Sequence, residues 1–556
     1  MVKYLKLRPL TVAILLAGLS NVANAQLGQD LSVDLRSLTM GNAVTADPPG
    51  ISAVHFNPAG LTKIEGLQTD VQGILANFAI KRDFTAPAGY NVFGYSDDPL
   101  VCNDGPEVDT GICTDFKGTV EGNVEYASLY VPILKKMVDL GPNTPLAAPT
   151  AGIAYKPPGS KVTYATAMYA PLVAGFGSED GNPGNYMGQQ VALERITYLS
   201  PSFGYQVNDH LSVGASFGMS YQAIAMKTDL RFPNEMIGVL RMVDDVVCGP
   251  FKDNGGDIIT DLLLFGICNA KEGMNPFNKL GSLDVSLEQS LSPSYNLGVL
   301  WEPTDDFSFG MVYQSEAKMR LRGKYLMNNA VAPQQLVAGL NSSATGQILA
   351  AILGLPGYVP NIESGLVAMD FKYPQHFKAG IKYNLFPDLQ MNFDVGWTDF
   401  AAWDEFKFEF DRQISLLKVA KLLSNKVTDR SLALPLGFQS SWNWGIGFEY
   451  SATDRLKLRI GYEPRTSSIP DNKRNTMVPI NNAQLFGLGA GYRFDQDTDI
   501  DLSLAFLRSR DDIPANTSTL ANQTGVNNIL LNPYAGLDIK TNTKVTLLGI
   551  NYRTRW

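Results

Sequence analysis

Long stretches of this chain alternate between an apolar residue and a small or polar one. Leu211, Val213, Ala215, Phe217, Met219 and Tyr221 share one face, and Ser212, Gly214, Ser216, Gly218 and Ser220 the other. A period of two marks a β-strand with two unlike faces. The pattern returns in Phe377, Ala379, Ile381 and Tyr383 against His376, Lys378, Gly380 and Lys382, in Trp442, Trp444, Ile446 and Phe448 against Asn443, Gly445 and Gly447, and in Leu456, Leu458, Ile460 and Tyr462 against Arg455, Lys457 and Arg459. A soluble sandwich would carry turn signals about every 8–12 residues. Here longer segments come as hairpins, with tight turns at one end and long loops at the other. That asymmetry predicts a transmembrane barrel with its apolar face toward lipid.

The turns give the strand count. Short connections fall at Pro157–Lys161, Asn208–Asp209, Glu302–Asp305, Phe386–Asp388, Ala452–Asp454 and Asp495–Thr498. Long segments fall near 81–147, 176–190, 227–281, 325–365, 412–436, 465–483 and 509–542. Six turns and seven loops predict fourteen antiparallel strands, an even number as bacterial barrels require. A further alternating stretch, Asn123–Ile133, would break the parity and is assigned to the first loop. The last strand runs Leu548, Ile550, Tyr552, Thr554, Trp556, ending on an aromatic of the kind read by the outer-membrane assembly machinery.

Composition narrows the alternatives. A mean hydropathy of −0.05 is too low for a polytopic helical membrane protein. A formal charge of −9 and a pI near 5.1 argue against nucleic acid as a partner. The N-terminus has Lys3, Lys6 and Arg8, an apolar run Leu10–Leu19 and Ala23-Asn24-Ala25, so residues 1–25 read as a signal peptide cleaved before Gln26. In an exported chain, Cys102 with Cys113 and Cys248 with Cys268 read as two disulfides in long loops. Residues 26–66 do not alternate and are rich in turn formers, including Asp47-Pro48-Pro49-Gly50. A segment placed before the first strand can fill a lumen too wide for side chains alone, so 26–66 is expected to be a plug and 67–556 the barrel.

That segment contains Asn57-Pro58-Ala59-Gly60-Leu61. With Leu199-Ser200-Pro201-Ser202-Phe203-Gly204-Tyr205, Leu211-Ser212-Val213-Gly214, Tyr313-Gln314-Ser315 and Pro470-Asp471-Asn472, it resembles FadL-type long-chain fatty acid transporters of the Gram-negative outer membrane over nearly the whole mature chain. The resemblance implies a hatch carrying Asn57, Pro58, Ala59 and Gly60, capture of ligand in an apolar extracellular groove, an apolar pocket within, and lateral exit through a kinked third strand. It also implies an N-terminus reaching the pocket, here Gln26, Leu27 and Gly28 with Leu27 as the apolar tip. One departure is Pro479-Ile480-Asn481-Asn482-Ala483-Gln484, where the family often carries Pro-Asp-x-Asp-Arg.

Several residues fit that mechanism. Residues 333–357, with Leu336, Val337, Leu340, Ile348, Leu349, Ile352 and Leu353, have helical apolar spacing, as do Ile414–Leu423 and Met236–Val247. Exposed apolar loops point to capture of a hydrophobic ligand, packing on one another being the alternative. A carboxylate in an apolar pocket wants a cation. Continuing the alternation from outward Phe307, Phe309 and Met311 makes Leu321 outward and Glu316, Lys318, Arg320 and Arg322 inward, with Arg455, Lys457 and Arg459 inward on another strand. Lys318 and then Arg459 are the candidate carboxylate partners, and bracing of the lumen is the alternative for each. Pro171, Gly175 and Gly177 in the third strand are the candidate lateral opening, because proline removes a ladder donor and glycine permits a bend.

Enzyme patterns fail. Gly214-Ala215-Ser216-Phe217-Gly218 lies within a strand, whereas G-x-S-x-G chemistry needs a strand-to-helix elbow. Asp495, Asp497, Asp499 and Asp501 lack the glycine and the glutamate of a calcium loop, at Ile500 and Phe506. The chain is thus read as a monomeric all-β outer-membrane transporter with no cofactor or metal. Its expected partners are a hydrophobic small molecule, outer-membrane lipid and lipopolysaccharide, and the assembly machinery. Aromatic-hydrocarbon uptake, export of oxidised fatty acids, and a surface receptor or adhesin are the competing functions.

Overall fold

The computed structural model describes residues 29–95, 98–101, 118–142, 144–232, 234–243, 245–246, 249–250, 277–342, 344–422, 424–477, 481–524 and 532–556. The expected signal peptide, Gln26, Leu27, Gly28 and the cysteines Cys102, Cys113, Cys248 and Cys268 lie outside the described residues.

Fourteen antiparallel strands form a closed barrel. They are β1 (Gly66–Thr85), β2 (Leu146–Lys156), β3 (Val162–Gly177), β4 (Gln190–Leu199, continued by Ser202–Asn208), β5 (Leu211–Leu230), β6 (Gly281–Thr304) and β7 (Phe307–Gln314, continued by Ala317–Asn329). The circuit goes on through β8 (Ile362–Tyr373, then His376–Phe386), β9 (Leu389–Thr398, then Glu405–Phe410), β10 (Ser431–Pro435, then Ser441–Ser451), β11 (Leu456–Arg465), β12 (Ala483–Arg493), β13 (Thr498–Ile513) and β14 (Asp538–Arg555). β14 closes on β1 from Gln68↔Arg555 to Thr85↔Asp538. Closure leaves no free sheet edge for lipid to meet, which a membrane-spanning sheet requires.

The Asn123–Ile133 stretch contributes a strand, Tyr126–Val131, that hairpins with Lys136–Pro142 inside the first long loop. It touches the wall through Tyr126↔Gly177 and Ala127↔Phe176.

The inward and outward faces do not keep one phase from end to end. β3 carries a bulge between Tyr169 and Leu172, β6 one between Gln289 and Ser292, and β4, β7 and β8 break at Ser200–Pro201, Ser315–Glu316 and Pro374–Gln375. One extra residue moves every later side chain to the other face. This corrects the expected orientation on β7. Below the break Ser308 and Val312 face inward; above it Ala317, Leu321 and Tyr325 do, and Lys318, Arg320 and Arg322 face out. β11 to β14 and β1 hold a single phase.

Residues 29–64 lie inside the barrel as a chain of short helical turns: Leu35–Thr39, Gly50–Ser52, Ala53–Phe56 and Pro58–Lys63. Nearly all of it is buried, and Val33, Met40, Val44, Ile51, Phe56 and Leu61 form a core against Ala154, Ala165 and Tyr169 of the wall. The small residues of the alternating strands make this possible. A Cβ at Gly214 or Gly298 would collide with Asn57, Pro58 or Ala59, one at Gly310 with Thr45, and one at Gly461 with Met40 and Gly41. Gly41 itself has φ +62, tolerated by glycine, and passes against the backbone of Tyr462. The inner face is therefore small because another length of chain lies on it.

Candidate functional site

Above the hatch and below the long loops lies an apolar cavity of about 380 Å³. Its wall includes Leu172–Phe176 of β3, Leu193 of β4, Ile224 of β5 and Val285 of β6, with Trp403, Phe406, Phe408 and Phe410 from the upper part of β9 and Ile414 and Leu417 from the loop after it. Leu336 and Val337 of the helix Val331–Leu340 close the top. The expected single helix over 333–357 is two helices, Val331–Leu340 and Ala344–Leu353, bent by 111°. Ile348 and Ile352 of the second, with Val331 and Tyr358, remain largely exposed. The other expected segments form the helices Ser415–Ala420 and Asn234–Val243.

The floor is the N-terminal segment. Gln29 bridges to Leu172, the Asp30 N–H donates to Pro171 O at 3.0 Å and the Ser32 hydroxyl to Ala170 O at 2.7 Å. Leu31 and Ser32 line the cavity. The carbonyls that the bulge frees from the ladder are thus taken up by this segment, as buried acceptors require. The β2–β3 ladder runs only from Ala151↔Met168 to Tyr155↔Tyr164. Above it, Leu146–Thr150 pair with β1 alone, and Leu146, Ala148 and Leu172–Phe176 line the cavity beside that gap. Pro171 sits in the bulge. Gly175 and Gly177 lie where a Cβ would strike Ser128 and Tyr126 of the loop hairpin, so they admit the hairpin against β3.

The hatch is fixed by its own polar groups. Asn57 caps the turn Pro58–Lys63 by accepting from the Ala59 N–H, and donates to Thr45 O at 2.8 Å and Val299 O at 3.0 Å. Pro58 starts the turn, where its missing N–H costs nothing. Ala59 is fully buried, and a Cβ on Gly60 would collide with Pro48. Asp394 of β9 accepts from the Val44 and Thr45 N–H groups and the Thr45 hydroxyl at 2.6–3.0 Å. Burial would raise the Asp30 carboxyl, but Lys378 at 3.2 Å and His55 at 2.8 Å hold it far below the usual carboxylate range. Burial likewise opposes Asp47, which Arg36 at 2.5 Å, Lys63 and Lys382 keep well below its ordinary value.

Neither expected carboxylate partner reaches the cavity. Lys318 points outward with its side chain 73% exposed and pairs with Glu316 at 2.7 Å, the consequence of the phase change at Ser315–Glu316. Arg459 does face inward, but beneath the hatch, where Glu449 at 2.7 Å and Asp501 at 2.5 Å occupy its guanidinium. Glu449 also takes Arg36 and Lys457, so this is a brace between hatch and wall.

A different cation stands beside the cavity. Arg195 of β4 is opposite Leu172 in register and 2% exposed. Its guanidinium donates to the Ser292 hydroxyl at 2.9 Å, with longer contacts to Ser292 O and the Ser294 hydroxyl, and lies 4.5 Å from the centre of the Tyr373 ring. Among the described residues no carboxylate pairs with it. The neighbouring Glu194 turns to the other face and accepts the Tyr130 N–H at 2.7 Å. Arg195 is not itself part of the cavity lining; the cation that is, Arg231, is closed by Asp98 in a two-pronged pair at 3.0 and 3.1 Å.

Comparison with known proteins follows this geometry. The family model described as outer membrane protein transport protein (OMPP1/FadL/TodX) matches residues 14–556. A Salmonella typhi protein called long-chain fatty acid transport protein is 18% identical over 332 residues, 60% of this chain and 63% of its own length. The matches span less than two thirds of the length of the first curated relatives. Among solved structures, a Pseudomonas aeruginosa FadL homologue superposes with TM-score 0.63 at 16% identity, covering 95% of this chain and all (100%) of its own. The Pseudomonas putida toluene transporter TodX gives 0.55 at 15% identity, covering 96% and 100%. At these identities the structures establish the shared fold.

Proposed function

From its membership in the outer membrane protein transport family (OMPP1/FadL/TodX), we propose that this chain carries long-chain fatty acids or related amphiphiles across the outer membrane. The observation that carries the reading is an apolar cavity with a buried guanidinium, Arg195, that has no carboxylate partner among the described residues and sits next to the lining residues Leu172 and Leu193. An acyl chain is stabilised by leaving water for the cavity, and its carboxylate by an ion pair with Arg195, which meets no carboxylate within the described residues. The exposed apolar helices Val331–Leu340 and Ala344–Leu353 capture the ligand on the extracellular side. The gap between β2 and β3, bordered by Pro171, Gly175 and Gly177, is the lateral way out, and Gln29–Ser32 is the part that must yield. No step calls for a catalytic residue or cofactor.

The test is uptake of labelled oleate by cells lacking the gene, complemented with wild type, Arg195→Gln, or Asn57→Ala with Pro58→Ala. Removing one charge-assisted bond in an apolar setting costs about 1.5–3 kcal/mol, roughly ten- to a hundredfold in affinity. Oleate uptake is therefore expected to fall at least about tenfold in Arg195→Gln. A monoaromatic hydrocarbon needs the cavity but no cation, so toluene entry measured on the same strains is expected to be unaffected by that substitution. Oleate uptake independent of the gene would sink the fatty acid reading; gene-dependent toluene uptake alone would replace it with hydrocarbon transport. Binding of a host or phage protein with no small-molecule flux would return the receptor reading.

A further inference from the structure

On β13, β14 and β1 the outward side chains climb in register. Ile500, Tyr552 and Val71 form a low apolar row, and Phe506, Thr546 and Asn77 the last uncharged one. At about 3.3 Å per residue and a tilt of about 40°, that stretch rises about 15 Å, most of an apolar band of about 25 Å. The next rows are basic. Arg508 stands directly opposite Lys544, Arg510 and Lys81 flank Asn542 one row higher, and Lys540 follows between Asp512 and Asp83.

All five cations are exposed, and among the described residues none makes an ion pair. Directly opposed like charges destabilise a sheet unless something answers them. On β7–β9 the same height is also charged, but there Lys318, Arg320, Lys372 and Lys407 each meet a carboxylate. Those four are neutralised within the protein, Arg322 and Lys324 beside them are not, and the densest unanswered group, on β13, β14 and β1, is left for an outside anion.

We propose that the outer face of β13, β14 and β1 binds the phosphate groups of a phosphorylated saccharide lipid of the outer leaflet, with Arg508, Arg510, Lys544 and Lys81 as its cradle. The position sets the occupant. The patch starts where the apolar band stops, so an anion held here has acyl chains lying on Leu504, Leu548 and Leu75 directly below. A free phosphate would use only the charges; a phospholipid would offer one phosphate to a patch two rows deep. A bisphosphorylated lipid A offers two, together with the apolar contact. The site is on the opposite surface of the wall from the cavity and does not depend on the transport reading.

The experiment is native mass spectrometry of the full-length protein in detergent micelles titrated with bisphosphorylated lipid A. Parallel arms use dephosphorylated lipid A, dioleoyl phosphatidylglycerol and inorganic pyrophosphate. The variant is Arg508→Gln, Arg510→Gln, Lys544→Gln, whose exposed side chains hold nothing in the fold; the heat-dependent electrophoretic shift checks that the barrel forms, and Arg508→Lys with Arg510→Lys retains the charge. Wild type and the lysine variant are expected to hold bisphosphorylated lipid A at least about tenfold more tightly than the glutamine variant, weakening with salt. Equal binding by the folded glutamine variant would overturn the proposal. So would equal affinity for dephosphorylated lipid A or phosphatidylglycerol, or displacement of lipid A by pyrophosphate at equal concentration.

Discussion

At the scale of single residues, Asn57 does three things at once: it caps a turn, holds Thr45 within the hatch and grips Val299 on the wall. Replacing it by alanine removes the cap and leaves the buried Thr45 carbonyl and the partly buried Val299 carbonyl short of a donor, a loss of roughly 2 kcal/mol. Amide exchange in 45–60 is expected to speed up roughly thirtyfold in Asn57→Ala, while strands β12 to β14 exchange as before; unchanged hatch exchange would show that the motif does not fasten it. Lys318→Ala, by contrast, is expected to leave oleate affinity within about twofold, because its ammonium faces away from the lumen. Asn57 was legible in the sequence because a turn-forming motif stands out from alternating strands. Arg195 was not. In Leu193-Glu194-Arg195-Ile196 it reads as half of an ordinary neighbouring ion pair, and only the strand geometry sends the two side chains to opposite faces. The signal available was two successive charges in a segment otherwise reading as a membrane strand.

At the scale of elements, strand number and order followed from turns and period, since lipid on one side and chain on the other impose unlike faces along every strand. The phase changes in β3, β4, β6, β7 and β8 were harder to see. A bulge needs one extra residue and no particular composition, and although Pro171, Pro201 and Pro374 mark three of them, nothing of the kind marks Ser315–Glu316. The inner-face glycines give the sharper prediction. Gly214 and Gly298 on neighbouring strands bracket Pro58, and a Cβ on either meets backbone or the Asn57 side chain. Gly298→Val is expected to push the hatch off the wall and raise ion conductance in planar bilayers. Gly73→Val, on the open outer face of β1, should leave conductance at the wild-type level. Equal conductance in both variants would mean that the hatch tolerates displacement without opening a path.

At the scale of the whole molecule, the hatch is held in part by charges that acid finds difficult to reach. Asp30 and Asp47 have folded-state values depressed by Lys378 and His55 and by Arg36 and Lys63, so their contribution is complete above about pH 4, the unfolded carboxylate value, and is lost only as pH falls through the depressed folded ones. Asp34 runs the other way, raised by burial, and protonating it on acidification relieves a cost. Hatch protection from amide exchange, corrected for the intrinsic rate, should therefore be no weaker at pH 5 than at pH 7; loosening in that interval would mean that these pairs do not control docking.

The contacts between the hatch and the far strands also order events in time. Asn42 bonds Glu463 and Leu35 packs on Gly549, partners made hundreds of residues after the hatch itself. The hatch must therefore wait for these partners while the wall is laid down, and the seam between β1 and β14 closes with the hatch in place. In the finished barrel the glycines of the wall lie so close to the hatch that no Cβ fits between them. A fit of this closeness suits casting around a core better than stoppering a bottle, because wall and hatch take their shapes from each other.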